Sequence, residues 1–162
     1  MPKVALIMGS KSDWPSLRGC VDVLKKFEIE VEVHVASAHR TPETVAAFAA
    51  NARENGFEVI LAAAGKAAHL AGVIAGHTTL PVIGIPVKSS FMDGLDSLIS
   101  TVQMPTGIPV ATVAVGGGDN AAYLAAQMLS IKYPILAEKL LAHREQMAAA
   151  IEADDRQIQD EV

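Results

Sequence analysis

A histidine and an arginine stand side by side within residues 37–42, whose sequence is Ser-Ala-His-Arg-Thr-Pro. Histidine is the side-chain type that titrates nearest to neutral pH, and arginine donates paired hydrogen bonds to phosphates and carboxylates. The segment follows the alternating stretch 30–35, which is typical of a strand. His39 and Arg40, preceded by Ser37, therefore predict a site where an anionic ligand meets a group that exchanges protons.

A second polar loop follows the apolar stretch 3–8. Residues 9–14 have the sequence Gly-Ser-Lys-Ser-Asp-Trp, and they place Ser10, Ser12 and Asp13 before a predicted helix. A helix N-terminus with hydroxyls beside it suits a phosphate or a sugar, although simple capping of the helix by Ser12 or Asp13 remains the alternative. The loop lacks the glycine signatures of ATP and dinucleotide sites.

A third loop consists almost entirely of small residues. Residues 62–72 read Ala-Ala-Ala-Gly-Lys-Ala-Ala-His-Leu-Ala-Gly. Small side chains such as those of Ala64 and Gly65 let a flat ligand approach the backbone. Lys66 is either a cation that faces the ligand or a solvated lysine, and His69 is either a second functional histidine or a residue that orders the loop.

Strand-like and helix-like segments alternate along the chain, which predicts a parallel sheet covered by helices on both faces. Strands are predicted at 3–8, 30–36, 57–63, 81–86 and 109–115, and helices at 14–27, 42–55, 67–76, 93–102, 119–130 and 134–153. Asp13 and Thr41 are the expected N-caps of the first two helices. Because parallel strands end at one edge of the sheet, the three polar loops are expected to meet there.

The residues from 1 to 162 are expected to form one domain, with a solvated acidic tail at about 154–162. A net charge of −5 and an aromatic content of 4% argue against a nucleic-acid surface. The apolar runs are too short to span a membrane, and with no recognisable signal peptide we expect a cytoplasmic protein. The hydrophobic content of 51% is high for a small monomer and favours buried subunit interfaces.

Several other features have mainly structural interpretations. The single cysteine, Cys20, lies on an apolar helical face and is expected in the core. No histidine has a second His or Cys at metal-ligand spacing, so no metal site is predicted, and His143 is expected on the exposed side of the last helix. Residues 86–98, which include Phe91, form a lid or an interface, with the interface favoured. The glycines at 116–118 form a turn that contacts a ligand or simply reverses the chain.

Taken together, these loops resemble one family. Residues 8–14, 37–42, 64–70, 81–87 and 96–105 are similar, in the same order, to motifs of the N5-carboxyaminoimidazole ribonucleotide mutases of purine biosynthesis. The resemblance covers nearly the whole chain. It implies a flavodoxin-like, three-layer α/β/α fold with a five-stranded parallel sheet and an extra long C-terminal helix.

The resemblance also implies an activity. The carboxylate would move from the exocyclic nitrogen to ring carbon C4 of 5-aminoimidazole ribonucleotide, through loss of CO2, its confinement and recarboxylation. No ATP, biotin, metal or other cofactor is implied. The assembly would be a homo-octamer with active sites shared between subunits and the C-terminal helix reaching a neighbour. An ATP-dependent carboxyaminoimidazole ribonucleotide synthetase would be the pathway neighbour.

By the same resemblance each loop has a role. The residues matching those that hold the 5′-phosphate and ribose are Ser10, Ser12, Asp13 and Arg40. His39 matches the catalytic histidine, and Ser37 would lie near the migrating carboxylate. Ala64, Gly65, Lys66 and the second catalytic candidate, His69, would surround the carboxylate region. Lys66 stands where the family usually has glycine.

Two alternatives remain open. A related class of enzymes carboxylates aminoimidazole ribonucleotide with free CO2 and has a Ser-Asn-Gly-Leu-like third loop, whereas residues 67–70 here read Ala-Ala-His-Leu and favour the mutase. A non-catalytic flavodoxin-like module that binds FMN or a sugar phosphate is the second alternative. A flavin site usually has aromatic residues around the ring, and the candidate loops offer only Trp14 and Phe91.

Overall fold

The predicted alternation of strands and helices is confirmed. A computed structural model describes all residues from Met1 to Val162. The strands are β1 (Lys3–Met8), β2 (Glu30–Val35), β3 (Val59–Ala64), β4 (Val82–Pro86) and β5 (Ala111–Thr112). The α-helices are α1 (Trp14–Lys26), α2 (Pro42–Asn51), α3 (Leu70–His77), α4 (Leu95–Val102), α5 (Gly118–Ser130) and α6 (Pro134–Glu161), and two short 3-10 turns lie at Lys11–Asp13 and Met92–Gly94.

The five strands form one parallel sheet in the order β2-β1-β3-β4-β5. The order reverses direction at β1, since the chain goes from β1 outward to β2 and then returns to β3 on the other side. Ligands of open α/β sheets bind at this kind of reversal, outside the carboxyl ends of the strands. The loop after β1 therefore lies between the loops after β2 and β3.

Helices cover both faces of the sheet, which confirms the three-layer α/β/α fold. Alternate residues of β1 point to opposite faces, so that Leu6 packs in the core with α1 and α5 while Ile7 packs in the core with α2 and α3. Both side chains are fully buried. In β4, Gly84 carries no side chain, and a Cβ there would collide with Thr101 of α4. The missing Cβ lets α4 pack closely on the sheet.

The fifth strand is shorter than predicted. We predicted strand structure over 109–115, but only Ala111–Thr112 are paired as a strand. Pro109 has no N–H to donate to the ladder, and the chain turns at Gly116, whose φ is +72°. One further hydrogen bond, from Val113 N to Gly84 O at 3.1 Å, continues the pairing beyond the strand.

Neither predicted N-cap side chain caps its helix. Asp13 and Thr41 precede α1 and α2 but make no side-chain capping hydrogen bond. Thr41 Oγ1 instead accepts from Ser37 N at 2.9 Å and donates to Ser37 O at 3.1 Å. The hydroxyl that was expected to start a helix therefore closes the loop that carries His39.

The last helix extends beyond its predicted end. α6 continues to Glu161, whereas we predicted a helix over 134–153 followed by a tail. Residues 154–161 contain neither glycine nor proline, so no residue in this segment breaks the helix. Their side chains are all exposed, as expected of a solvated segment. No helix in the structure combines the length and the apolar composition needed to cross a membrane.

The environment of His143 also differs from the prediction. Its ring is half-buried and stacks on Tyr123 of α5, with the ring centroids 4.8 Å apart and an angle of 11° between the planes. Phe27 contacts both rings edge-on. His143 faces inward because α6 packs against α5, which the pattern of α6 by itself does not reveal. Cys20 is buried as predicted, and burial raises the pKa of its thiol to about 12.

Candidate active site

A cleft of about 770 Å³ lies at the carboxyl edge of the sheet. Four loops form it, those that follow β1, β2, β3 and β4. Its lining includes all the site residues that were predicted from the sequence, namely Ser10, Ser12, Asp13, Ser37, His39, Arg40, Ala64, Gly65, Lys66 and His69. Residues separated by up to 59 positions in the chain, from Ser10 to His69, thus share one cavity.

The two histidines of the cleft contact each other directly. His39 Nε2 lies 2.8 Å from His69 Nδ1, and the rings meet edge to face with an angle of 82°. His39 belongs to the loop after β2, and His69 immediately precedes α3. At this distance one ring nitrogen donates its proton and the other accepts it. Each histidine therefore restricts the tautomer of the other.

Arg40 links the loops after β1 and β2. One terminal nitrogen of its guanidinium donates to Gly9 O at 3.0 Å, and its Nε donates to Ser37 Oγ at 3.4 Å. The backbone N–H of Arg40 donates to the same Ser37 hydroxyl at 3.2 Å. A guanidinium has five N–H donors, so these contacts orient Arg40 and leave further donors for a ligand.

The loop after β1 presents hydroxyls and a carboxylate beside Arg40. Ser12 Oγ donates to Ser10 Oγ at 2.8 Å, and the backbone N–H of Ser12 contacts that oxygen at 3.3 Å. Partial burial raises the pKa of the Asp13 carboxyl above its ordinary value, and its interactions with the Ser10 backbone and with Arg40 offset only part of that effect. The ionised carboxylate is therefore held in an unfavourable environment.

Replacing Asp13 by asparagine is expected to raise the melting temperature at neutral pH. A carboxyl whose pKa is raised in the folded protein stabilises the fold only while it is protonated, below its unfolded pKa, and this contribution is lost as the pH rises through the folded pKa. The gain should therefore shrink at pH values below the ordinary pKa of aspartate. The melting temperatures of Asp13→Asn and the parent are measured at neutral pH and at a pH below the ordinary pKa of aspartate. An equal gain in melting temperature at the two pH values would contradict the prediction.

The small-residue loop after β3 is braced from the side by α4. Ser100 Oγ accepts from Ala68 N at 3.0 Å and contacts Lys66 O at 3.2 Å. Lys66 itself has a φ of +56°, in the left-handed region that glycine adopts most easily. The loop thus follows a tight path that α4 stabilises.

One side of the cleft was not predicted from the sequence. Lys88, Ser89 and Ser90, which follow β4, also line it, although we favoured an interface for residues 86–98. The available signal was that this polar triplet comes directly after a strand predicted to lie in the same sheet. Ser89 Oγ donates to Asp96 Oδ1 at 2.7 Å, which ties this loop to α4.

Neither aromatic residue of the candidate loops reaches the cleft. Trp14 and Phe91 are absent from its lining, which contains no Phe, Tyr or Trp. Phe91 is 63% exposed and its neighbour Met92 is 61% exposed. The turn at residues 116–120 does not line the cleft either. The backbone N–H of Gly116 in this turn donates to Pro86 O at 2.8 Å. The cleft therefore offers no aromatic sandwich for a flavin ring.

Comparison with known proteins identifies the family. The family model described as AIR carboxylase matches residues 3–150. The chain belongs to the AIR carboxylase family. All four cleft loops lie within the matched residues, and the family resemblance predicted from the loop motifs is confirmed.

Curated relatives within the AIR carboxylase family have nearly the same length. A protein of Saccharolobus solfataricus named N5-carboxyaminoimidazole ribonucleotide mutase is 56% identical over 147 residues, which cover 91% of this chain and 93% of that protein. A protein of Mycobacterium tuberculosis with the same name is 50% identical over 158 residues, covering 98% and 91%. The crystal structure of Treponema denticola PurE superposes with a TM-score of 0.86 at 29% identity, covering 97% of this chain and 98% of that one.

Proposed function

We propose that this chain is an N5-carboxyaminoimidazole ribonucleotide mutase of purine biosynthesis, an isomerase that needs no cofactor. The observation that carries the proposal is the contact between His39 and His69 in the cleft, beside a loop made of small residues. His69 belongs to the Ala-Ala-His-Leu sequence at 67–70 that favours the mutase over the CO2-using class. The names of the relatives from Saccharolobus solfataricus and Mycobacterium tuberculosis support the same activity.

In this proposal the loops after β1 and β2 hold the nucleotide. Arg40 and the hydroxyls of Ser10 and Ser12 bind the 5′-phosphate, since guanidinium and hydroxyl donors suit phosphate oxygens. Asp13 accepts a hydrogen bond from a ribose hydroxyl. The contacts of Arg40 with Gly9 O and Ser37 Oγ orient the guanidinium before the substrate arrives.

The chemical steps move one carboxylate and one proton. The bond between the exocyclic nitrogen and the carboxylate carbon breaks, CO2 is released, and the nitrogen takes a proton from protonated His39. The electron pair of the enamine-like C4 then attacks CO2 and forms the new carbon–carbon bond. Neutral His39 removes the proton from C4, which restores the ring and the protonated histidine. The isomerisation is therefore balanced without any added reagent.

The loop at 64–67 and His69 would confine the CO2 between the two steps. The backbone beside Ala64 and Gly65 comes close to the bound ring because no larger side chain intervenes. Ser37 would lie near the migrating carboxylate. Confinement matters because CO2 that escapes, or water that enters, uncouples the two half-reactions.

The assay that tests the proposal supplies two substrates separately. We expect conversion of N5-carboxyaminoimidazole ribonucleotide to 4-carboxy-5-aminoimidazole ribonucleotide without bicarbonate. Conversion only when aminoimidazole ribonucleotide and modest bicarbonate are supplied would favour the CO2-using carboxylase. No conversion in either assay would favour the binding module, for which flavin absorbance of the purified protein is the first measurement.

We further propose that the protein is a cytoplasmic homo-octamer with shared active sites. An ATP-dependent carboxyaminoimidazole ribonucleotide synthetase would produce its substrate. Apolar side chains remain exposed on α4, which contacts the cleft loop after β3, and on α6 at the end of the chain. They are Leu95, Ile99 and Val102 on α4, and Leu141, Met147 and Ile151 on α6. Such faces are typical of subunit contacts. Light scattering should give eight times the chain mass of 17.0 kDa, and a mass of one chain would reject the assembly.

A further inference from the structure

We propose that Lys66 and Lys88 form a second anion-binding subsite in the cleft, which holds the carboxylate while the phosphate lies with Arg40. The inference rests on the proposed function, because that function supplies a substrate with two anionic groups at opposite ends. It adds a specificity role for two lysines, neither of which takes part in the proton transfer.

The two lysines enter the cleft from neighbouring loops at the same level. Ala64 of β3 pairs in register with Pro86 of β4. Lys66 lies two residues after Ala64, and Lys88 lies two residues after Pro86. The loops touch there, since a Cβ built on Gly65 would lie 3.5 Å from Val87 O. Both lysines line the cleft.

The charges of the cleft are divided between its two sides. Arg40 is tied to Gly9 O and Ser37 Oγ on the side of β1 and β2, where the only carboxylate of the lining, Asp13, also lies. Lys66 and Lys88 occupy the side of β3 and β4, where the lining has no acidic residue. A phosphate bound by Arg40 therefore leaves these two cations for an anion at the other end of the ligand.

Both lysines are available to a ligand. Lys66 forms no ion pair in the structure. Lys88 Nζ lies 3.1 Å from Asp93 Oδ1, but the side chains are 72% and 85% exposed. Solvent screens such a pair, so it contributes little to stability. Lys88 can therefore leave Asp93 and bind a ligand carboxylate in the cleft with little loss of free energy.

The backbone of Lys66 adds an independent reason. Its φ of +56° is unfavourable for a residue with a Cβ, whereas glycine adopts it freely. Strained residues of this kind concentrate at binding and catalytic sites. A lysine at this position suggests that its side chain contributes a positive charge to the cleft, which glycine cannot supply.

The test compares two ligands that differ only in the carboxylate, namely aminoimidazole ribonucleotide and 4-carboxy-5-aminoimidazole ribonucleotide. Calorimetry at fixed ionic strength gives the ratio of their dissociation constants. We expect Lys66→Met, which keeps the strained backbone but removes the charge, to weaken the carboxylated ligand roughly tenfold, about 1.4 kcal/mol. The uncarboxylated ligand should change less than about twofold on the same scale.

Matched variants separate charge from backbone strain. Lys66→Gly should show the same selective loss together with a higher melting temperature, and Lys66→Arg should retain the preference. Lys88→Gln should shift the ratio in the same direction. Lys25→Gln removes a lysine that is exposed in the last turn of α1, and it should leave both affinities unchanged.

The outcomes distinguish this inference from the proposed function. Equal weakening of both ligands, or a Lys66→Met protein that binds like the parent, overturns the subsite. If the parent enzyme converts the carbamate while the ratio stays unchanged in Lys66→Met, only the subsite fails. If the parent converts nothing but the ratio shifts as expected, the mutase activity fails and the subsite stands. A parent that binds neither ligand rejects both.

Discussion

Replacing His39 by asparagine should lower kcat roughly a hundredfold to ten-thousandfold, the range expected when a general acid–base group is removed. In the proposed mechanism His39 both protonates the exocyclic nitrogen and accepts the C4 proton, and an amide performs neither step. KM should change less, because the phosphate contacts remain. Initial rates over a range of N5-carboxyaminoimidazole ribonucleotide concentrations measure both constants.

Two further histidine variants are compared with His39→Asn, one inside the cleft and one outside it as the control. His69→Asn keeps a polar side chain next to His39 but changes the tautomer that His39 adopts, so it should shift the pH profile of kcat as well as lower kcat. His77→Asn alters an exposed histidine at the end of α3, outside the cleft, and should be indistinguishable from the parent. Near-normal turnover by a folded, correctly assembled His39→Asn protein would contradict the proton-transfer role.

Replacing Arg40 by methionine should raise KM about tenfold to a hundredfold while kcat changes less. Each charge-assisted hydrogen bond contributes about 1.5–3 kcal/mol, and Arg40 is expected to donate at least one to the phosphate. The same change removes the link from the guanidinium to Gly9 O at 3.0 Å, which loosens the loop after β1. Arg40→Lys should recover part of the loss, because lysine restores the charge without the planar donor group.

A matched arginine elsewhere tests whether the effect is local. Arg53 is exposed and donates to Thr79 Oγ1 at 3.0 Å, away from the cleft. Arg53→Met should leave KM unchanged. The KM of Arg40→Met should also depend less on salt concentration than that of the parent, since one cation no longer meets the phosphate. A fall in kcat with unchanged KM would place Arg40 in the chemical step instead.

The residues of the cleft were predictable because their loops follow strands. A parallel sheet brings the carboxyl ends of its strands to one edge, so recognising β1, β2 and β3 was enough to place Ser10, His39 and His69 near each other. Lys88 follows β4 at the same edge of the sheet. Its position was not predicted because Phe91 and Met92 in the same loop are typical of an interface.

Local patterns were less informative where a side chain had two available partners. Thr41 has the sequence of a helix cap, yet its hydroxyl bonds to Ser37 within the loop. His143 lies in a polar stretch of α6, yet it stacks on Tyr123. For Thr41 both possible partners are local, and the path of the loop selects Ser37. For His143 the partner lies on another helix, and only the packing of α6 on α5 brings it close.

The amino-acid sequence by itself determined the fold class, the family and the cleft residues of the loops after β1, β2 and β3, because alternation, strand-end position and loop motifs are local properties. Only the tertiary structure decided the 2.8 Å contact between His39 and His69, the attachment of Arg40 to the loop after β1, and the placement of Lys66 and Lys88 in adjacent loops. These relations join residues about thirty or about twenty positions apart. They depend on strand order and register, which arise when the whole sheet packs between its helices.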